Sequence, residues 1–277
     1  MIKKISLIFF VVLNISLCYS QNYIEYYNEA NEAEYQFIEG NYLSSKANFQ
    51  ILEKQYGKLL TKDYFYLAIL CYNQNDSVNG KRCLKKSVEG GLYEVPNYIS
   101  KFKSNKFPNL KISEKTILEM KLLEEKIIQS VDTTIRDTIN FYLERDQLNR
   151  KEHEEVNLTA DYPIQKNLLS FLKRNGLPNP YIYGDSYSII ILHLSDTEIY
   201  NSFTKFLYDE IIKGNMYPYY YTVIVDRTEE YKNKQTNYGS YFMKAKTQAD
   251  TDKIKLNRKK IGLSPYFEGP NIFPHAY

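Results

Sequence analysis

A chain of 277 residues, 43% hydrophobic and 25% charged, is long enough to bury one large core or two modest ones. That excludes a wholly disordered chain and a single membrane bundle. Its 36 Lys and Arg against 33 Asp and Glu leave a formal charge of +3 with no long basic block, so no nucleic-acid partner is expected.

Residues 1–20 pair Lys3 and Lys4 with an apolar run from Ile5 to Leu17, followed by Cys18-Tyr19-Ser20. This is the pattern of a secretory leader cut after Ser20, and the run is shorter than the roughly 20 residues a spanning helix needs. The expected product is exported, periplasmic or extracellular, with no integral membrane segment. Acylation of Cys18 as a lipoprotein is the alternative, disfavoured by the bulk of Leu17 before it.

Residues 21–100 read as a helical module. Placing Ala33 on Ala68 also superposes Gly40 on Asn75, Ser45 on Gly80 and Phe49 on Leu84, a period of about 35 residues. Small residues allow two helices to approach, and Gly-Asn or Asn-Asp suits the reversal between them. On these residues, the segment from about 23 to 95 resembles the tetratricopeptide repeat, which implies helical hairpins and a protein or peptide partner. Two hairpins are few for stability, so residues 113–150 are expected to add a third helical layer. With Ala68 facing Gly80, Cys71 and Cys83 are offset by roughly 9 Å, too far for a disulfide, and are expected as buried free thiols.

Val95-Pro96 closes the module. Residues 101–155 form a lysine-rich connector around Pro108 and then a long or broken helix, on which Ile117, Met120, Leu123, Ile127, Ile135, Ile139 and Tyr142 recur at helical spacing. In the C-terminal domain, 156–277, Ile164 to Arg174 reads as an amphipathic helix stopped by Gly176 and Pro178. Thr197 to Lys213 reads as another, with Asp196 as cap and Gly214 as stop. Ser186 to Leu194 fits a strand or a buried helix equally. Thr222 to Val225 is β-branched or aliphatic, and residues 229–243 suit a small hairpin. The fold class is mainly α: helical hairpins in front, then a helical domain with a small β-hairpin.

Walker, Gly-x-Gly-x-x-Gly and Gly-x-Ser-x-Gly motifs do not occur in the sequence. With His153, His193 and His275 and no paired cysteine motif, a metal site has no visible ligand set, and no cofactor is expected. The 28 tyrosines, some in Tyr217-Pro218-Tyr219-Tyr220-Tyr221, suit either a contact surface or half-buried packing.

Polar candidates concentrate after residue 140. Asp146 and Arg150 are four apart on one helical face, as a surface ion pair or as a pair presented to a cleft. His193 follows four aliphatic residues, as a core histidine or a general base. Asp226-Arg227 ends an apolar run; Gln235, Tyr238 and Gly239 lie in the expected hairpin; Arg258 suits an anionic group or a neighbouring carboxylate. The order Asp146-Gln147-x-x-Arg150, Gly176-x-Pro178, His193, Asp226-Arg227, Gln235-x-x-Tyr238-Gly239 and Arg258 before Ile261-Gly262-Leu263 resembles a bacterial family of uncharacterised proteins, domain of unknown function 6624, over about 140–266. The chain departs from it at Leu192, at Asn257 and at Ser240-Tyr241. The resemblance implies a candidate constellation and no established activity. Two functions follow: a binding protein of the cell envelope, or a hydrolase-like enzyme with His193 as acid/base, Asp226 orienting it, and Asp146, Arg150, Arg227, Gln235, Tyr238, Gly239 and Arg258 binding the ligand. Convergence of these side chains in a cleft separates the second from the first.

Overall fold

The computed structural model describes residues 22–105, 107–152, 158–183, 186–194, 197–232, 235–241 and 247–265. Residues 1–20, expected to be a leader, and Asp196, His153 and His275 lie outside them. The described residues are mainly helical and contain no strand.

The first four helices are α1 (Tyr23–Ile38), α2 (Tyr42–Tyr56), α3 (Thr61–Asn73) and α4 (Ser77–Glu89). Consecutive helices pack as pairs, α1 on α2 and α3 on α4, and α2 packs on α3. Gly40 and Asn75, in the two intra-pair turns, both adopt left-handed backbone at φ 83° and 60°, the conformation Gly and Asn tolerate best. Buried Ser45 donates to the Ala33 carbonyl at 2.8 Å, which ties α2 to α1. Phe37 and Tyr66 of these helices meet edge to face, and both, with Phe65, meet Phe102 of the next helix in the same way.

Cys71 and Cys83 are buried and free, as expected, but the expected separation is wrong. The Cys83 thiol lies close enough to Cys71 to hold it below the usual thiol value. The Tyr72 ring lies against Gly80, so closely that a Cβ there would sit 2.7 Å from it.

Val95-Pro96, expected to close the module, instead opens α5 (Val95–Asn105), which runs into the lysine-rich connector, and α6 (Glu114–Ser130) packs on α4 and α5. The next helix, α7 (Thr133–Glu152), packs instead on α8 (Leu158–Asn175) and α10 (Ser186–Leu192). Of the expected third layer, 113–130 therefore covers the front end and 133–152 serves the C-terminal half. The remaining helices are α9 (Pro180–Tyr183), α11 (Thr197–Ile212), α12 (Pro218–Tyr231) and α13 (Gln248–Lys260).

The ambiguous stretch 186–192 is helical, with Tyr187, Ile190 and Ile191 buried. Among the described residues the β-hairpin is not found. Residues 222–231 belong to α12, which Pro218 opens at its first turn, where its fixed φ suits a helix and its missing N–H is not needed. Buried Thr222 and Asp226, four apart, share one face of that helix. Packing of this face outweighed the β-propensity of Thr222 to Val225. Residues 235–241 form an irregular turn instead of a second strand.

The two halves meet on α1 and just after α4, where Asn179 donates to the Gly90 carbonyl at 2.8 Å. Tyr27 donates to the Met216 carbonyl at 2.8 Å, Asn28 to Lys259 at 2.9 Å and Asn31 to Gly262 at 3.0 Å. Beside them Lys62 pairs with Glu34 and lies over the Tyr217 ring, 4.8 Å from its centroid. Neighbouring Asp63 accepts from the Tyr26 hydroxyl at 2.6 Å through Oδ2, while its buried Oδ1 has no partner. Burial pushes the Asp63 carboxyl up to about 7, with Lys62 pulling it down and Glu34 pushing it further up.

A carboxyl whose folded value is raised stabilises the protein fully below its unfolded value and loses that contribution as pH rises through the folded one. Urea midpoints are therefore expected to fall between about pH 4 and 7. In Asp63→Asn, whose amide oxygen still accepts from Tyr26, this decline should flatten. An equally steep decline in the variant would assign the pH dependence elsewhere.

Candidate functional site

The C-terminal end of α10 is where sequence-distant polar residues meet. Helix ends leave carbonyls without intrahelical partners. Here Arg227 of α12 donates to the Leu192 carbonyl, and Gln165 of α8 donates to the His193 carbonyl at 3.3 Å. A guanidinium at this position also complements the negative end of the helix dipole. The backbone that carries His193 is thus held from two sides.

The imidazole is held as well. Its Nδ1 lies 2.7 Å from Oδ2 of Asp146 on α7, and the same oxygen accepts from the Gln147 amide at 3.0 Å. Asp146 is fully buried, whereas 17% of the His193 side chain is exposed. A buried carboxylate that accepts at Nδ1 selects the tautomer with hydrogen on Nδ1, which leaves Nε2 as a proton acceptor. His193 is therefore neither walled in by the aliphatic residues before it nor simply at the surface.

Asp226 does not orient the histidine. It is buried, and it accepts three backbone N–H bonds from the 236–240 turn: Asn237 at 2.8 Å and Tyr238 at 2.9 Å on Oδ1, and Ser240 at 2.7 Å on Oδ2. Gly239 supplies the left-handed residue of this turn at φ 63° and donates to Thr236 Oγ1 at 2.9 Å. The Thr222 hydroxyl lies 2.8 Å from that of Ser240. Arg258 closes the arrangement from α13, donating to the Tyr238 carbonyl at 2.9 Å and to the Ser264 carbonyl. Burial pulls the Arg258 guanidinium down from its ordinary value, against Tyr217, Asp226 and Tyr219.

No protein-family model matches the chain, and no curated protein or solved structure is significantly similar to it. Any function therefore rests on the geometry above.

Three of the sequence candidates, Asp146, His193 and Arg227, converge at the end of α10. Four others, Asp226, Tyr238, Gly239 and Arg258, form the second cluster around the 236–240 turn. Gln235 is exposed and joins neither group. The side chain of Arg150 lies outside the described residues. The role expected of Asp226 falls to Asp146, because all the Asp226 bonds above run to backbone N–H groups of the turn.

Gln165 was missed, although a polar residue inside the apolar run of Ile164, Leu168, Leu169 and Leu172 is a visible anomaly; it is buried. Thr222 was hidden by its β-branched neighbours. Asn257, one of the departures from the family pattern, donates to the Asn237 carbonyl at 3.1 Å and so supports the turn. Among the described residues no group of three or more His, Cys, Asp or Glu side chains is placed to hold a metal ion, and no helix is long and apolar enough to cross a membrane.

Proposed function

We propose that the C-terminal half is an acid–base catalytic unit of hydrolytic type centred on His193. The contact of its Nδ1 with buried Asp146 at 2.7 Å is the observation that carries this reading. Asp146 orients the ring and stabilises the imidazolium that forms when Nε2 takes a proton. Nε2 removes that proton from a water attacking an electrophilic carbon or phosphorus centre, then returns it to the leaving group. Gln147 keeps Asp146 Oδ2 aimed at the ring, while Arg227 and Gln165 fix the backbone from which His193 projects. The resemblance of residues 140–266 to the domain of unknown function 6624 family belongs to the same proposal, with Asp146, Arg150, His193, Arg227 and Arg258 as the constellation it would bring.

The front end is proposed to be a tetratricopeptide-like pair of hairpins on an exported chain. Its support is the matching left-handed turns at Gly40 and Asn75 and the burial of both Ser45 and Gly80. Export rests on the leader pattern of residues 1–20. A second reading, a binding protein without chemistry, is favoured by the commitment of Asp226 and Arg258 to backbone groups of the chain itself.

Hydrolysis of chromogenic ester and phosphoester substrates by the full chain tests the catalytic reading. His193→Ala and Asp146→Asn are each expected to lower kcat by about 100-fold or more. Proton NMR supplies a readout that needs no substrate: a downfield Nδ1–H resonance in wild type that disappears in Asp146→Asn. Turnover unchanged in His193→Ala would remove the proposal.

A further inference from the structure

The lysine-rich connector has so far served only to join two halves, yet its fold places two of its cations across a cleft from α4. The cleft has a volume of about 1000 Å³, at the upper end of the range for small-ligand sites. Lys81, Arg82 and Lys85 stand on one wall, contributed by α4 at helical spacing. Lys103 of α5 and Lys111 of the following segment stand on the other. The apolar floor is Tyr72, Leu110 and Ile112, with Val78 on the rim at 80% exposure. Hydroxyls of Ser77, Ser113 and Thr116 complete the lining, and no carboxylate contributes to it.

Carboxylates stand just outside. Glu53 grips Arg82 with two hydrogen bonds at 2.6 and 2.8 Å, Glu119 pairs with Lys81, and Glu89 lies 3.7 Å from Lys85. Those three pairs neutralise much of the α4 wall. Lys103 and Lys111 form no ion pair with any described residue. The positive charge of the cleft therefore rests mainly on the connector wall, in a chain that is nearly neutral overall. The cleft lies on the α4–α6 side of the front end, whereas α1 and α3 face the C-terminal half through Tyr27, Asn31 and Lys62.

We infer that this cleft binds an extended acidic peptide segment of a partner protein, with an apolar side chain seated between its carboxylates. Charge complementarity selects the occupant: Lys103 and Lys111, which no described carboxylate pairs, suit the carboxylates of an acidic segment. The apolar floor rewards one buried aliphatic group, which a bare inorganic anion lacks. A recessed floor between walls also disfavours a flat lipid surface. The inference rests on reading the front end as partner-binding and does not depend on His193. Peptide titration reads the first and turnover by His193 variants reads the second.

The test is fluorescence anisotropy on the full chain, with a labelled peptide of Glu and Asp around a central Leu and its Gln/Asn counterpart. Saturable binding of the acidic peptide is expected, weakened at least about tenfold in the amide peptide and in the double variant Lys103→Glu/Lys111→Glu. Val78→Asp, at an exposed position, should weaken it as well. Equal binding of the two peptides, or unchanged affinity in the double variant, would overturn the inference. So would binding of tripolyphosphate or of anionic phosphatidylglycerol vesicles with no binding of peptide. Should the double variant fail to fold, the comparison of the two peptides on wild type decides alone.

Discussion

Asp226→Ala is expected to lower the stability of the folded chain by about 3–5 kcal/mol, because it removes the acceptor for three backbone N–H groups at once. Those donors belong to Asn237, Tyr238 and Ser240, and Asp226 itself is buried. Water cannot easily replace a carboxylate at that depth. The same substitution leaves Arg258 beside the turn without the nearby negative charge. Asp226→Asn keeps one oxygen and so is expected to recover part of the loss, although its amide group would face at least one donor N–H. Urea denaturation monitored by far-UV circular dichroism reads both variants. The catalytic reading adds a contrast: Asp226 variants should lose stability first, whereas His193→Ala should lose turnover in a chain that still unfolds cooperatively. A midpoint for Asp226→Ala equal to that of wild type would show that the turn is held by something other than this carboxylate.

Gly262→Ala carries the second large expected effect, about 2–4 kcal/mol of destabilisation, from backbone strain and steric overlap acting together. Gly262 has φ 77°, and a Cβ built there would lie 2.6 Å from Cβ of Tyr27 and 3.0 Å from the Ile24 carbonyl. Neither obstacle is the flexible end of a side chain. Relief requires α1 to move away from the segment after α13, which strains the Asn31 hydrogen bond to the Gly262 carbonyl. Gly176 supplies the control, with the same φ of 77° and nothing within 4 Å of the added carbon. Gly176→Ala should cost only the conformational part, about 1 kcal/mol. Equal thermal shifts in the two variants would mean that the contact between the halves contributes nothing to stability.

Much of the helical layout was legible because its signals are local. Gly40 and Asn75 were recognisable as turn residues, and the apolar spacing around Leu168, Leu169 and Leu172 marked α8. The hairpin reading failed where two local signals conflicted. Thr222 to Val225 favoured a strand by propensity, while Pro218, four to seven residues earlier, suits a helix start, and the packing of Thr222 and Asp226 decided for the helix. The Asp146–His193 pair joins residues 47 apart in sequence. Nothing in either segment says that α7 will lie along α10. Asp226 was the nearer acidic candidate by family order, and only the 236–240 turn shows why its oxygens are engaged elsewhere.

By itself the sequence determined the mainly helical class, the places where helices reverse and the polar residues worth testing. These follow from side-chain size, backbone freedom and capping, all of which act within about one helical turn. The tertiary structure alone decided which residues touch. It brought Cys71 beside Cys83, gave His193 to Asp146, spent Asp226 on a turn, and put Lys103 and Lys111 in one cleft with α4. Such pairings depend on how whole helices pack against one another. Residues far apart along the chain share no local preference that encodes their distance, so their meeting is a property of the packed core.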